Sequence, residues 1–122
     1  MDKTATTIIN LSSLAAGATS ALADCTAVDL ARTVTLTFAV QATFNASATG
    51  GLTIKFYPST DNSTYDDDAY VTWEVACHAG ETWQEHYYSI DPSKMYYKVK
   101  VTNEDSTYAV TNLKIICIQT EL

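Results

Sequence analysis

Residues 33–44 read Thr-Val-Thr-Leu-Thr-Phe-Ala-Val-Gln-Ala-Thr-Phe, alternating with period two. Successive side chains of a β-strand point to opposite faces. Val34, Leu36, Phe38, Val40, Ala42 and Phe44 therefore fall on one side, and Thr33, Thr35, Thr37, Gln41 and Thr43 on the other. The pattern predicts a long, half-buried strand with a hydroxyl face toward water.

The same reading extends along the chain. Residues 45–51 supply a turn in which Gly50 and Gly51 permit positive φ. Leu52, Ile54 and Phe56 then point inward, with Lys55 and Tyr57 outward, and Pro58, which cannot donate to a ladder, is expected to end that strand. Residues 59–68 form a polar, acidic loop. Val71, Trp73, Val75 and Cys77 share a face of the next strand, and Ala79-Gly80 turns the chain into a Tyr/Trp-rich strand over 82–90 whose inward face the pattern leaves open. After a turn at Asp91-Pro92-Ser93, Met95, Tyr97, Val99 and Val101 alternate with Tyr96, Lys98, Lys100 and Thr102. Residues 113–119 are apolar on both sides. Residues 6–14 and 27–30 read as further strands, and a helical turn fits only at 20–24. Seven or eight short strands at roughly ten-residue spacing predict one all-β domain over 1–122. The expected fold is a single antiparallel β-sandwich, jelly-roll or immunoglobulin-like, with residues 1–23 an extended N-terminal arm or a strand.

Composition narrows the function classes. The chain has 122 residues, 47% hydrophobic and 17% charged, with 19 threonines, 9 serines and 8 tyrosines, so hydroxyls replace ions on much of the surface. Such a length suffices for a core without metal or disulfide and excludes a large nucleotide-dependent enzyme. A net charge of −7 argues against binding a phosphate backbone. Residues 1–93 carry 11 acids against 3 bases, and residues 94–122 carry 4 bases against 3 acids. Lys98 and Lys100 share an outward strand face, and Lys114 begins the last strand; they read as a solvated face, or as one pole of a contact with an acidic neighbour. Asn10, Ser12, Ser13, Thr19 and Ser20 interrupt the N-terminus, so it does not read as a signal peptide. No run approaches the roughly 18 apolar residues of a membrane span, and the chain reads as soluble.

No constellation specifies a reaction. His78 and His86 are the two histidines, and neither belongs to a nucleophile elbow or a zincin motif. Cys25, Cys77 and Cys117 lack the close pairs of a zinc site or a disulfide framework, and read as small buried hydrophobes. Glu74, Glu81 and Glu85 offer carboxylate pairs of no specificity. Asn10, Asn45 and Asn62 begin N-x-S/T triplets that a Thr/Ser-rich chain produces by chance. Asp61, Asp66, Asp67 and Asp68 are the best calcium candidates, but glycine and glutamate are missing from the EF-hand positions, and the loop reads more simply as a turn bonded to its own backbone. No catalytic residue, metal or cofactor is expected. Trp73 belongs in the core. Trp83, Tyr87, Tyr88, Tyr96 and Tyr108 are too many to bury, and exposed Tyr and Trp suit a protein interface better than a sugar platform here. With Lys98 and Lys100, the candidate interface residues are Trp83, Tyr87, Tyr88 and Tyr96.

Four stretches, Leu14-Ala-Ala-Gly-Ala-Thr-Ser-Ala21, Ile54-Lys-Phe-Tyr-Pro-Ser-Thr-Asp-Asn-Ser-Thr-Tyr-Asp66, Tyr97-Lys-Val-Lys-Val-Thr-Asn103 and Val110-Thr-Asn-Leu-Lys-Ile115, give the chain a further aspect. With the Thr-alternating strand, they resemble small β-sandwich virion structural proteins of tailed bacteriophages. The Ser-x-Asp loop is also similar to that of galactose-binding-like discoidin modules, although their length and terminal disulfide are missing. The phage resemblance implies a non-enzymatic virion component: a capsid decoration or cement protein, or a neck, tail or fibre-associated subunit. Its partners would be phage capsid or tail proteins and further copies of itself, with no nucleic acid and no membrane. An N-terminal segment lying over a neighbour's sheet edge is part of that expectation. A secreted carbohydrate-binding module or a cell-surface filament subunit is the alternative.

Overall fold

The alternation is realised in β3 (Thr33–Thr43), where Leu36, Phe38, Val40 and Ala42 are buried and Thr35 stands in solvent. The computed structural model describes the backbone of residues 1–122 and every side chain except those of residues 84–87. Around β3 lie β1 (Asp2–Leu14), β2 (Val28–Asp29), β4 (Leu52–Ser59), β5 (Val71–Val75), β6 (Thr82–Ser89), β7 (Tyr96–Asn103) and β8 (Val110–Glu121), with one short 3-10 turn at Leu22–Asp24. They form two antiparallel four-stranded sheets, A in the order β1-β8-β3-β6 and B in the order β2-β7-β4-β5. The pairs β1·β8, β2·β7, β3·β6 and β4·β5 nest one inside the next, as in a chain folded double at the β4–β5 connection and rolled into two layers. That nesting is jelly-roll order and not the strand sorting of an immunoglobulin sandwich.

The layers meet on aromatic side chains. Phe38 of sheet A and Phe56 of sheet B lie 4.8 Å apart between ring centroids, and Tyr88 stacks on both Trp73 (5.2 Å) and Phe56 (6.1 Å). Both phenylalanines are fully buried, with Ile9, Leu36, Ile54, Val99, Leu113 and Ile115 around them. Removing such a ring deletes its transfer energy and leaves a cavity. Phe56→Ala should lower the unfolding free energy by about 3–5 kcal/mol, read from urea denaturation monitored by Trp fluorescence.

Bulges and close approaches account for the departures from simple alternation. Thr33 pairs with Glu121 but Thr35 with Thr120, so Val34 sits in a bulge and is 43% exposed, not inward as alternation predicts. In β6, Phe38 pairs with Tyr88 and Val40 with Glu85; the extra residue switches parity, and Trp83 and Tyr88 both face the core. Pro58 does not end β4: it pairs with Tyr97, beyond the point where β5 stops pairing at Phe56. Its carbonyl accepts from Asp66 N (3.1 Å), and an extended residue points N and C=O the same way, so the missing N–H falls on the side that β5 has left. Met95 precedes β7 and is exposed instead of inward. Gly50 and Gly51 have no positive φ; a Cβ on Gly50 would lie 2.5 Å from Asp105 N, and one on Gly51 would overlap Val75 O. Close backbone approach is what requires them. Cys25 and Cys117 are buried and Cys77, past the end of β5, is half-buried; all three are free thiols.

Asp105 holds that approach together. Its Oδ2 accepts from Thr49 N (2.7 Å) and Gly50 N (3.0 Å), and its Oδ1 accepts from Thr107 N and Tyr108 N (both 2.8 Å). Buried Asn103 accepts from Asp105 N (3.0 Å) and donates Nδ2 to Leu14 O (3.2 Å) and Tyr108 O (3.0 Å). The four amides hold the Asp105 carboxyl well below the ordinary carboxylate range. A carboxyl whose folded value is depressed stabilises the fold above its unfolded value, and that contribution disappears as pH falls through the folded value. The melting temperature should therefore fall as pH drops below about 4. Asp105→Asn should lower melting at pH 7 and flatten much of that acid slope, measured by circular dichroism from pH 7 to pH 2; an unchanged slope would remove Asp105 as its source.

Candidate functional site

The outward residues of β4 and β7 assemble the candidate surface. These central strands of sheet B run in register, placing Ser59 opposite Tyr96, Tyr57 opposite Lys98, Lys55 opposite Lys100 and Thr53 opposite Thr102. Since Ile54, Phe56, Tyr97, Val99 and Val101 are committed to the core, period two leaves this intervening set outside. Lys100 Nζ lies 5.2 Å from the centre of the Tyr57 ring, which is only 9% exposed despite facing outward. Lys98 Nζ stands 5.4 Å from the Tyr65 ring. Cation–π attraction of this kind holds the ammonium groups over the rings.

Tyr65 reaches the sheet because the loop before it is tied to itself. Buried Ser59 accepts through Oγ from Asp61 N (3.2 Å) and Asn62 N (3.0 Å) and donates to Thr64 O (2.7 Å). Asp61 Oδ1 accepts from Ser63 N and Thr64 N (both 2.9 Å), and these donors lower its pKa. Asn62 takes positive φ (59°), and Ser59 bridges to Tyr65. The loop is thus the self-bonded turn its composition suggests. Asp66, Asp67 and Asp68 follow it in solvent. Of the calcium candidates, Asp61 spends its oxygen on the turn, and among the described residues no group of three or more His, Cys, Asp or Glu is placed to hold a metal ion.

At the adjoining end of the sandwich, Lys94 Nζ lies 4.3 Å from the Tyr70 ring, and Tyr70 Oη donates to Asp91 Oδ2 (3.3 Å). The Ser93 hydroxyl and amide also donate to Asp91 and are the main cause of its lowered pKa. An open groove of about 440 Å³ runs between Ser59, Asp66, Ser93 and Lys94.

The structure brings together three of the sequence-predicted interface residues, Tyr96, Lys98 and Lys100. Two others go elsewhere: Trp83 and Tyr88 pack against the core, Trp83 stacking on His78 at 4.0 Å. The side chain of Tyr87 lies outside the described residues. Lys55, Tyr57 and Tyr65 complete the face and were not among the predicted interface residues. The alternation of β4 points Lys55 and Tyr57 outward, but their meeting with Lys98 and Lys100 depends on a pairing some 43 residues away. Elsewhere, burial pushes the Cys25 thiol up to about 11 and Cys117 up to about 12, so both are uncharged at neutral pH. His78 Nδ1 lies 3.8 Å from Glu81 Oε2. No described helix is long and apolar enough to cross a membrane.

No protein-family model, curated protein or solved structure matches the chain.

Lys55 and Lys100 are like charges directly opposite, an arrangement that opposes sheet formation. Lys55→Glu converts the pair to an attractive one and should stabilise the isolated chain by about 0.2–1 kcal/mol in urea denaturation, less at high salt.

Proposed function

We propose that this chain is a non-enzymatic structural component of a bacteriophage particle, a capsid decoration or cement protein or a neck or tail accessory subunit, acting through protein–protein contacts. The observation that carries the reading is the outer face of sheet B, where Tyr57, Tyr65 and Tyr96 stand among Lys55, Lys98 and Lys100 on a rigid layer. The half-buried Tyr65 and Tyr96 offer ring area of the kind enriched at protein interfaces, and their lysine neighbours Lys98 and Lys100 are already partly ordered over Tyr65 and Tyr57. The architecture supports the reading at the level of analogy, since jelly rolls occur in viral capsid domains as well as in lectins and cupins. The sequence resemblance to small phage virion proteins favours the first of these. Of Trp83, Tyr87 and Tyr88, the rings on which a glycan platform would be built, Trp83 and Tyr88 are partly buried against the core, which disfavours that reading.

Gradient sedimentation of the native chain from its source tests the proposal. Co-migration with a megadalton particle, resistant to a salt wash, is expected. Recovery as a free species of tens of kilodaltons would overturn it.

A further inference from the structure

Sheet B's outer face carries a conflict that folding does not need. The chain has 14 acidic and 7 basic residues, yet three of the seven, Lys55, Lys98 and Lys100, gather on two central strands. Among the described residues no carboxylate oxygen lies within 4.0 Å of any of these ammonium groups. Natural sequences break such local rules mostly where another requirement overrides stability. An anionic partner that neutralises the face is such a requirement.

The complementary charge lies next door. Tyr65, whose ring sits by Lys98, is followed directly by Asp66, Asp67 and Asp68, all exposed. Their start is fixed, since Asp66 N donates to Pro58 O at 3.1 Å and Ser59 bridges to Tyr65. Basic face and acidic loop are thus neighbours on one surface, with no ion pair between them inside the chain. A two-fold contact makes one surface patch meet itself, so that each element touches the other element of the partner. Here it would lay each acidic loop on the opposite lysines, satisfying both charge sets twice.

We propose that the occupant of this face is a second copy of the chain, docked about a two-fold axis with residues 66–68 of each copy against Lys55, Lys98 and Lys100 of the other. This deepens the structural-subunit reading by naming the partner of the same face. The half-buried Lys98 and Lys100 are already partly desolvated and held by their tyrosines, and the acidic segment is anchored at its start by Asp66 N, which lowers the ordering cost of docking. Net repulsion between two acidic chains is screened beyond about 8 Å at physiological salt, while close pairs are screened less.

The purified full chain in sedimentation equilibrium gives the test, separately from the particle gradient. At physiological salt the chain is expected to associate to twice its 13.3 kDa mass. Lys98→Glu with Lys100→Glu, and separately Asp66→Lys with Asp67→Lys and Asp68→Lys, should each weaken the dimer at least about tenfold, about 1.4 kcal/mol. An equimolar mixture of the two variants should regain it, because both contacts then pair opposite charges again. Circular dichroism confirms that each variant is folded. A wild-type chain that stays monomeric, a dimer indifferent to either variant, or a mixture that fails to associate would overturn the proposal. A monomer that nevertheless co-migrates with a particle from its source would overturn the two-fold pairing and leave the subunit reading standing.

Discussion

Phe56 lies between the two sheets, its ring centroid 4.8 Å from that of Phe38, 6.1 Å from that of Tyr88 and 6.5 Å from that of Tyr97, the last pair T-shaped. Because strand side chains alternate strictly, this one inward choice also sets Lys55 and Tyr57 outward. A slip of one residue in β4 would bury a lysine and expose the ring, a difference large enough to fix the register against β7. The outer face of sheet B, with its opposed lysines, is therefore a by-product of where a phenylalanine goes. Its charge pattern is tolerated because the hydrophobic seam beneath outweighs a cross-strand repulsion of less than about 1 kcal/mol.

The ends of the sandwich obey a different constraint, the need to satisfy backbone amides in tight loops. Asp105 gathers four amides from two loops, and Asn103 ties in the end of β1. Ser59 and Asp61 do the same for the loop that delivers Tyr65. Among the described residues every buried side-chain nitrogen and oxygen has a partner. Short polar side chains thus convert loops into fixed extensions of the sheets, and this precision lets a residue such as Tyr65 take part in a face it does not belong to by strand.

Much of this was legible in the sequence because period two is a local signal. The faces of β3 from Thr35 onward and of β7 follow from alternation, whereas β8, apolar on both sides by sequence, buries Leu113, Ile115 and Cys117 and leaves Ile116 and Ile118 half-buried. What stayed hidden was non-local or broke the period. The bulge in β6 brings Trp83 and Tyr88 to the same side, so no fixed parity could assign that strand. Val34 escapes its own pattern for the same reason. Gly50 and Gly51 look like turn glycines from their neighbours, whereas the atoms that exclude a side chain belong to Asp105 and Val75. Alternation makes Lys55, Lys98 and Lys100 separately visible as outward residues. That they meet depends on β4 pairing with β7, which nothing local announces.

The position of β8 bears on how the protein is made. Sheet A places β8 between β1 and β3, and Asp2 of the first strand pairs with Glu121 of the last. During synthesis the first strand has no neighbour in its own sheet until the last strand leaves the ribosome. Sheet B needs only β2, β4, β5 and β7 and can close earlier. Until β8 emerges, β1 and β3 present unsatisfied edges rich in threonine and aliphatic residues, the kind of surface that chaperones hold and that aggregates when they do not. Folding is thus concentrated in a late step dominated by pairings distant in sequence, which sets a slow rate for this topology whatever its final stability.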